Sequence, residues 1–384
     1  MMEEVLSQAA QIPIQRTKLN ISRRVGVCAL LGCFSVVAVW AQGPRTERAG
    51  PHTTNQAKLY EQSRPAMGTE FKIYLYAEQD EQAEAWFGAA FAEIERLDET
   101  LSNYKPESEL SRINRLAGHQ MVTTDPEMYA LLQTCIEYSR RSGGTFDITV
   151  GPLMRAWGFF RGQGKYPAPW QLDKAREKVG WQKVQLDPAG RTVHFAVDGM
   201  ELDLGGIGKG YAVDRVIRQL RMAGVKAAMV DAGSSTLYAI GAPPGKKGWL
   251  VGVPKPGDRS QTISTVLLKD ESLSTSGSYE KFFQLNGRTY CHIMDPRTGA
   301  PVEGMLQATV IGVDGMTTEA LSKPMFVMGT EQGAKYLGNF PGVSGLWVAG
   351  AIDKQQEVEW NWPGCAGECG ETLEGSRERK LRTQ

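Results

Sequence analysis

Residues 69–77, TEFKIYLYA, alternate so that Phe71, Ile73 and Leu75 share one face, which predicts a strand. The period then changes. Over residues 79–101, Trp86, Phe87, Phe91, Ile94 and Leu97 recur at helical spacing, a stripe of core residues on an amphipathic helix. Asp125 followed by Pro126 starts a second helix, with Asp as N-cap and Pro in the first turn. Its buried face is Met128, Leu131, Leu132 and Cys135. A third helix is predicted over 211–223, stopped by Gly224, and a fourth over 318–328, stopped by Gly329. Strand-like runs occupy 227–230, 237–240, 249–253, 262–268, 307–312 and 344–349. Helical periods dominate before residue 225 and strand periods after it. No internal repeat is visible. The pattern predicts an α+β architecture in one unit.

Charge and composition narrow the function. The 384 residues carry 43 basic and 43 acidic side chains, so there is no basic excess to serve nucleic acid. Arg23 and Arg24 precede a short apolar run over 25–40, followed by Ala41. This order of charge, apolar run and small residue predicts a targeting segment over 1–41. Three forms are open: cleavage near Ala41, lipidation at Cys33 within Leu30-Leu31-Gly32-Cys33, or an uncleaved anchor. All three put the bulk of the protein outside the cytoplasmic membrane. Residues 42–62 read as a polar linker, 63–362 as the folded domain and 363–384 as a polar, disordered tail. Cys365 and Cys369 stand as C-x3-C without a second pair, which suits a local disulfide better than zinc.

Candidate chemistry sits in short segments. Residues 202–214, LDLGGIGKGYAVD, read as strand, glycine-rich turn and helix start. Gly205, Gly206 and Gly208 let the backbone approach a ligand, and Lys209 adds charge at a helix N-terminus, where free N–H groups favour anions. It is not a Walker loop, because Gly210 follows Lys209. Tyr104 stands in the polar stretch 101–114 as an aromatic able to stack on a flat ring. Asp147 is the one acid in GGTFDITVGPLMRAW, residues 143–157. Segments 230–236 and 274–282 read as turns rich in small donors. Of four histidines, His292 alone lies in a motif-like segment, CHIMDPRTGAPV.

Six of these motifs stand in order between Pro65 and Phe340: AMGTEF, SNYKPESELSRIN, TFDITVGPLMRAWGF, LDLGGIGKGYAVD, STSGSYEKFF and HIMDPRTGAPV. Together they resemble the ApbE family of FAD:protein FMN transferases. The resemblance implies a single compact, T-fold-related domain of mixed helices and antiparallel strands. It implies an exported protein, free or membrane-anchored on the periplasmic side of the inner membrane. It also implies an enzyme that binds FAD with Mg2+, breaks the pyrophosphate and joins FMN to a threonine hydroxyl of an acceptor protein, such as a membrane redox subunit, with release of AMP. Matched position by position, Met67, Tyr104, Thr145, Phe146, Asp147, Asp203, Lys209 and Ile293 fall on FAD-binding positions, and His292 falls on the catalytic one. Gly206 falls on a metal ligand through its carbonyl.

One motif departs from the family. Where the family has Ala-Asp-Ala-x-x-Thr, this chain has TEALSK at 318–323. Glu319 replaces the ligand Asp and still offers a carboxylate. Lys323 replaces the ligand Thr and cannot ligate while protonated; its ammonium could take the cation's place. Pro324 follows inside the predicted helix and would kink it. The expectation is a magnesium-dependent transferase with Gly206 and Glu319 at the metal. The alternatives are an FAD-binding protein with a degenerate metal site and an FAD pyrophosphatase.

Overall fold

The strand predicted from Phe71, Ile73 and Leu75 lies in an eight-stranded sheet of the computed structural model, which describes residues 57–162 and 164–363. The targeting segment and the tail beyond Pro363, with their four cysteines, lie outside the described residues. The sheet runs Lys58–Ala66, Thr69–Ala77, Ala228–Ala232, Thr236–Ile240, Glu271–Gly277, Met305–Gly312, Ser344–Ala351 and Lys354–Trp360. Spatial order follows chain order, and every neighbouring pair is antiparallel. The first strand begins at Lys58, inside the stretch read as linker.

Among the described residues seven α-helices accompany it: α1 (Asp80–Leu101), α2 (Glu109–Leu116), α3 (Pro126–Arg141), α4 (Gly151–Ala156), α5 (Pro169–Glu177), α6 (Gly208–Met222) and α7 (Gly315–Leu337). Phe71, Ile73 and Leu75 pack with Phe87, Phe91, Ile94 and Leu97 of α1 and with Val213, Val216 and Ile217 of α6. Each such side chain, when fully buried, contributes about 1.5–3 kcal/mol. The other face of the sheet is covered by the hairpin Trp249–Lys255 with Asp258–Leu268, whose Trp249, Val251, Val253, Val266 and Leu268 meet Leu237, Ala239, Leu273 and Ile311.

The strand Glu271–Gly277 corrects the reading of 274–282 as a turn. It pairs on both sides within the sheet. Apart from Leu273 its buried side chains are Ser and Thr rather than apolar, so no hydrophobic alternation announces it. They dock α7 through hydroxyl pairs instead: Ser272 with Thr318 at 2.9 Å and Ser276 with Ser322 at 2.8 Å. Four residues on the helix match four on the strand.

Helix α7 does not end at Gly329. The backbone leaves helical angles there (φ 74°, ψ −169°) and then resumes to Leu337. Pro324 lies inside the helix, but the break falls at Gly329.

Helices α6 and α7 meet backbone to backbone. A Cβ on Gly210 would lie 2.2 Å from Gly315 O, so only glycine permits this crossing. One turn along α6, Asp214 accepts Gly315 N at 2.6 Å and Met316 N at 2.8 Å, satisfying two otherwise orphan donors of α7. Burial pushes the Asp214 carboxyl up to about 7.

Candidate active site

The crossing of α6 and α7 forms the floor of a cleft of about 690 Å3, within the size range of small-molecule sites. Its walls are the turn at Met67 and Gly68, the chain after α1, residues 145–150, the glycine loop 203–209, and segments around Glu280 and His292.

The Met67–Gly68 turn links two strands in register at Ala66 and Thr69, with φ of 51° and 72°. Two successive positive φ values are the mark of a type I′ hairpin turn. Asp98 anchors it, accepting Met67 N at 3.0 Å, and holds Lys105 Nζ at 2.6 Å. Tyr104 stacks on Phe160 with ring centroids 4.4 Å apart and planes 17° apart. The Arg155 guanidinium lies 3.9 Å from the Phe160 centroid on this shelf. Tyr104 remains 57% exposed, leaving ring surface for a planar ligand.

The polar groups of the Thr145–Phe146–Asp147 triplet are used within the protein, in their own loop and against Trp181. The Thr145 hydroxyl donates to Ser142 O at 3.0 Å. Asp147 accepts Thr149 N at 2.8 Å, Thr149 Oγ1 at 2.7 Å and Trp181 N at 2.9 Å. Burial raises its carboxyl against these bonds. The triplet therefore shapes the wall, while Phe146 supplies apolar surface beneath Gly206. Asp203 likewise accepts Gly205 N at 2.7 Å, closing the glycine turn.

The start of α6 does not present a row of free amides. Gly208 N donates to Leu204 O, and Gly210 N donates to Glu319 Oε2 at 2.6 Å. The positive charge at this end comes from side chains. Lys209 Nζ lies 2.9 Å from Glu319 Oε1, and Lys323 Nζ lies 4.0 Å from the same oxygen. Glu319 is 1% exposed. Burial would raise its carboxyl, but the two ammonium groups outweigh burial and hold it below the ordinary value. Burial likewise opposes the charge on Lys209, yet Glu319 keeps it above the usual lysine value. Lys323, farther from Glu319, is pushed down to about 8 by burial and by Lys209.

His292 follows the strand Arg288–Cys291, which pairs with Phe282–Leu285. The hairpin continues as His292 N donates to Lys281 O at 2.9 Å. The His292 ring reaches the same carbonyl through Nδ1 at 3.1 Å. A carbonyl only accepts, so Nδ1 carries the proton and Nε2 keeps its lone pair. Burial, Lys281, Lys323 and Lys209 push the imidazole down to about 3, leaving it neutral at physiological pH.

The cleft brings together nearly all the residues singled out in the sequence. Met67, Tyr104, Thr145, Phe146, Asp147, Asp203, Gly206, Lys209, His292 and Ile293 all line it. Glu319 lies beneath, behind the two lysines. Lys281, Asp98 and Phe160 were not singled out; each acts through a partner remote in sequence, although Lys281 lies within the STSGSYEKFF motif.

The ApbE family sequence profile matches residues 67–347, spanning the whole cleft. This chain belongs to the ApbE family. It is 30% identical over 329 residues to the FAD:protein FMN transferase of Treponema pallidum, covering 79% of this chain and 91% of that protein. It is 30% identical over 294 residues to one from Klebsiella pneumoniae, covering 76% and 89%. The crystal structure of the Thermotoga maritima ApbE protein superposes with a TM-score of 0.71 at 31% identity, covering 77% of this chain and 96% of that one. That of Pseudomonas stutzeri flavinyl transferase ApbE, apo form, gives 0.71 at 28% identity, covering 80% and 96%. The α+β domain of mixed helices and antiparallel strands is thus the ApbE fold.

The magnesium site expected at Gly206 and Glu319 does not fit the residues found here. Magnesium requires near-octahedral oxygen ligation. Glu319, the carboxylate expected at the metal, already takes the Gly210 amide on one oxygen and Lys209 on the other. The Lys323 stem runs over Gly206: a Cβ built on Gly206 would lie 3.7 Å from Lys323 Cγ and 3.8 Å from Lys323 Cε. Among the described residues, no group of three or more His, Cys, Asp or Glu could hold a metal ion.

Proposed function

We propose that the protein is an FAD:protein FMN transferase, moving FMN from FAD to a threonine hydroxyl of an acceptor protein and releasing AMP. The observation that carries this is a neutral imidazole held beside three lysines in a dinucleotide-sized cleft of an ApbE-family chain. The threonine oxygen attacks the phosphorus of the FMN half. The bond from that phosphorus to the oxygen retained by AMP breaks, and AMP leaves with the electron pair. The hydroxyl proton passes to His292 Nε2, since a threonine hydroxyl is a weak nucleophile without a base. Lys209 and Lys323 offset charge on the phosphate oxygens as the bond breaks. The Tyr104–Phe160 shelf offers a stacking surface for a planar ring of the dinucleotide. Magnesium, which the family resemblance implies, has no built site here and takes no step in this scheme.

The targeting pattern over residues 1–41 supports export, and the family resemblance supports a membrane redox subunit as acceptor. Among the described residues, no helix is long and apolar enough to cross a membrane.

Incubation of the purified protein with FAD and a threonine-bearing acceptor tests the reading. It expects AMP and a covalent flavin–acceptor adduct visible by mass spectrometry. AMP and FMN without adduct would establish a pyrophosphatase instead. FAD binding without any AMP would leave a carrier.

A further inference from the structure

We infer that the flavin site of this chain works without a divalent cation, Lys323 holding its ammonium against the FAD pyrophosphate where a metal ion would otherwise be needed. This rests on the FAD reading above and adds the means by which the phosphates are neutralised.

Three observations carry it. First, Lys323 is a cleft-lining residue, as are Lys209 and Gly206. Its stem lies over Gly206 and its tip lies 4.0 Å from Glu319 Oε1, so its charge occupies the space between the glycine loop and the buried carboxylate. Second, Glu319 is already matched by Lys209 at 2.9 Å and by the Gly210 amide at 2.6 Å. Lys323 is thus the second cation beside a single carboxylate. Glu280 also faces both lysines but pairs with Arg259 at 3.1 Å, and Asp203 faces Lys209; with Lys281, four cations stand against three carboxylates and leave one positive charge. A buried excess charge is costly without a counter-ion, and a pyrophosphate supplies one. Third, a divalent cation would have to share Glu319 with two ammonium groups, and the next carboxylate, Glu280, is already paired with Arg259 at 3.1 Å.

Flavin fluorescence quenching tests this on the full protein, with FAD and riboflavin as probes, in EDTA and in magnesium. FAD affinity of the parent should agree within about twofold between the two conditions. Lys323→Met keeps the length of the side chain and leaves Glu319 paired with Lys209, so the fold is retained, which thermal unfolding checks. It should weaken FAD by about tenfold or more, the scale of one lost charge-assisted contact, and leave riboflavin unchanged. Lys323→Arg should recover most of the FAD affinity. Lys323→Thr combined with Glu319→Asp should make FAD affinity depend on magnesium.

Loss of parent FAD binding in EDTA overturns the inference while leaving the FAD site intact. Equal weakening of FAD and riboflavin by Lys323→Met also overturns it, because the lysine would then act on the shape of the cleft. No quenching of either flavin under any condition removes the FAD reading itself.

Discussion

The indole Nε1 of Trp347 donates to Met325 O at 3.1 Å, joining a buried strand to the middle of α7. Helix α7 changes direction at Gly329, one turn beyond this carbonyl, so the indole ties the strand to the turn that precedes the break. Trp347 is 0% exposed. Trp347→Phe keeps an aromatic ring but removes the donor. We expect a loss of about 1 kcal/mol, the net contribution of one buried hydrogen bond. Denaturant unfolding with an unchanged midpoint would show that the indole bond adds nothing to the helix.

Two glycine-to-alanine changes should behave oppositely. Gly210→Ala drives a methyl into Gly315 O at 2.2 Å and must part α6 from α7, costing about 3 kcal/mol. Because Gly210 N holds Glu319, FAD affinity should fall with it. Gly88, exposed on α1, has nothing within 4 Å of the position a methyl would take. Gly88→Ala should raise stability by about 0.5–1 kcal/mol. Similar thermal midpoints for the two variants would refute the backbone contact.

Asp147 should matter to the empty protein. Its carboxylate accepts two bonds from Thr149 within the loop that walls the cleft and one from Trp181 N, which ties that loop to the segment after α5. Asp147→Ala should therefore cost about 2 kcal/mol in unfolding experiments without FAD. A variant that unfolds like the parent but no longer binds FAD would make Asp147 a direct ligand contact.

The pH profile reports on His292. In the proposed reaction its base form is the active one, and burial with the nearby lysines lowers its pKa to about 3 in the free protein. An ordinary imidazole titrates near 6.5, so a base of that kind would lose activity on acidification below about pH 7. With the lowered value the base form persists. kcat/KM for AMP release, which reflects the free enzyme, should show no acid limb between about pH 5 and 7. His292→Ala should lower the rate by about 10²–10⁴ with FAD affinity retained. A limb centred near 6.5 would mean that His292 is solvated and unperturbed.

What the sequence discloses depends on whether apolar residues carry the element. The strand Thr69–Ala77 and helix α1 bury a periodic apolar face, and both are legible almost to the residue. The strand Glu271–Gly277 is buried through paired hydroxyls, so its pattern resembles a loop. Lys58–Ala66 is an edge strand, mostly exposed, and reads as linker. At the site, motif positions mark the cleft lining well. They say less about what each group does there: Asp147 spends its carboxylate on its own loop and on Trp181 N, and Glu319 is claimed by Lys209 across 110 residues of chain.

The sheet runs in chain order, but its pairings are unequal in reach. From Ala228 onward neighbouring strands of the sheet pair residues no more than 44 apart in the chain, as Met305 with Ala349, whereas Tyr74 pairs with Met229, about 155 residues away. Closing so long a loop carries a larger entropy cost, and long-range pairing is slow relative to local zipping. The C-terminal meander can therefore form first, and the hairpin carrying Met67 docks late. Met67, Tyr104 and Asp147 stand on one side of that closure, and Lys281, His292 and Lys323 on the other, so the cleft has no half-formed version able to hold a dinucleotide. FAD would act on the fold as a latch on its final step: present during refolding, it should leave early hairpin formation untouched and selectively slow reopening of the N-terminal hairpin, as hydrogen exchange along residues 69–77 would record.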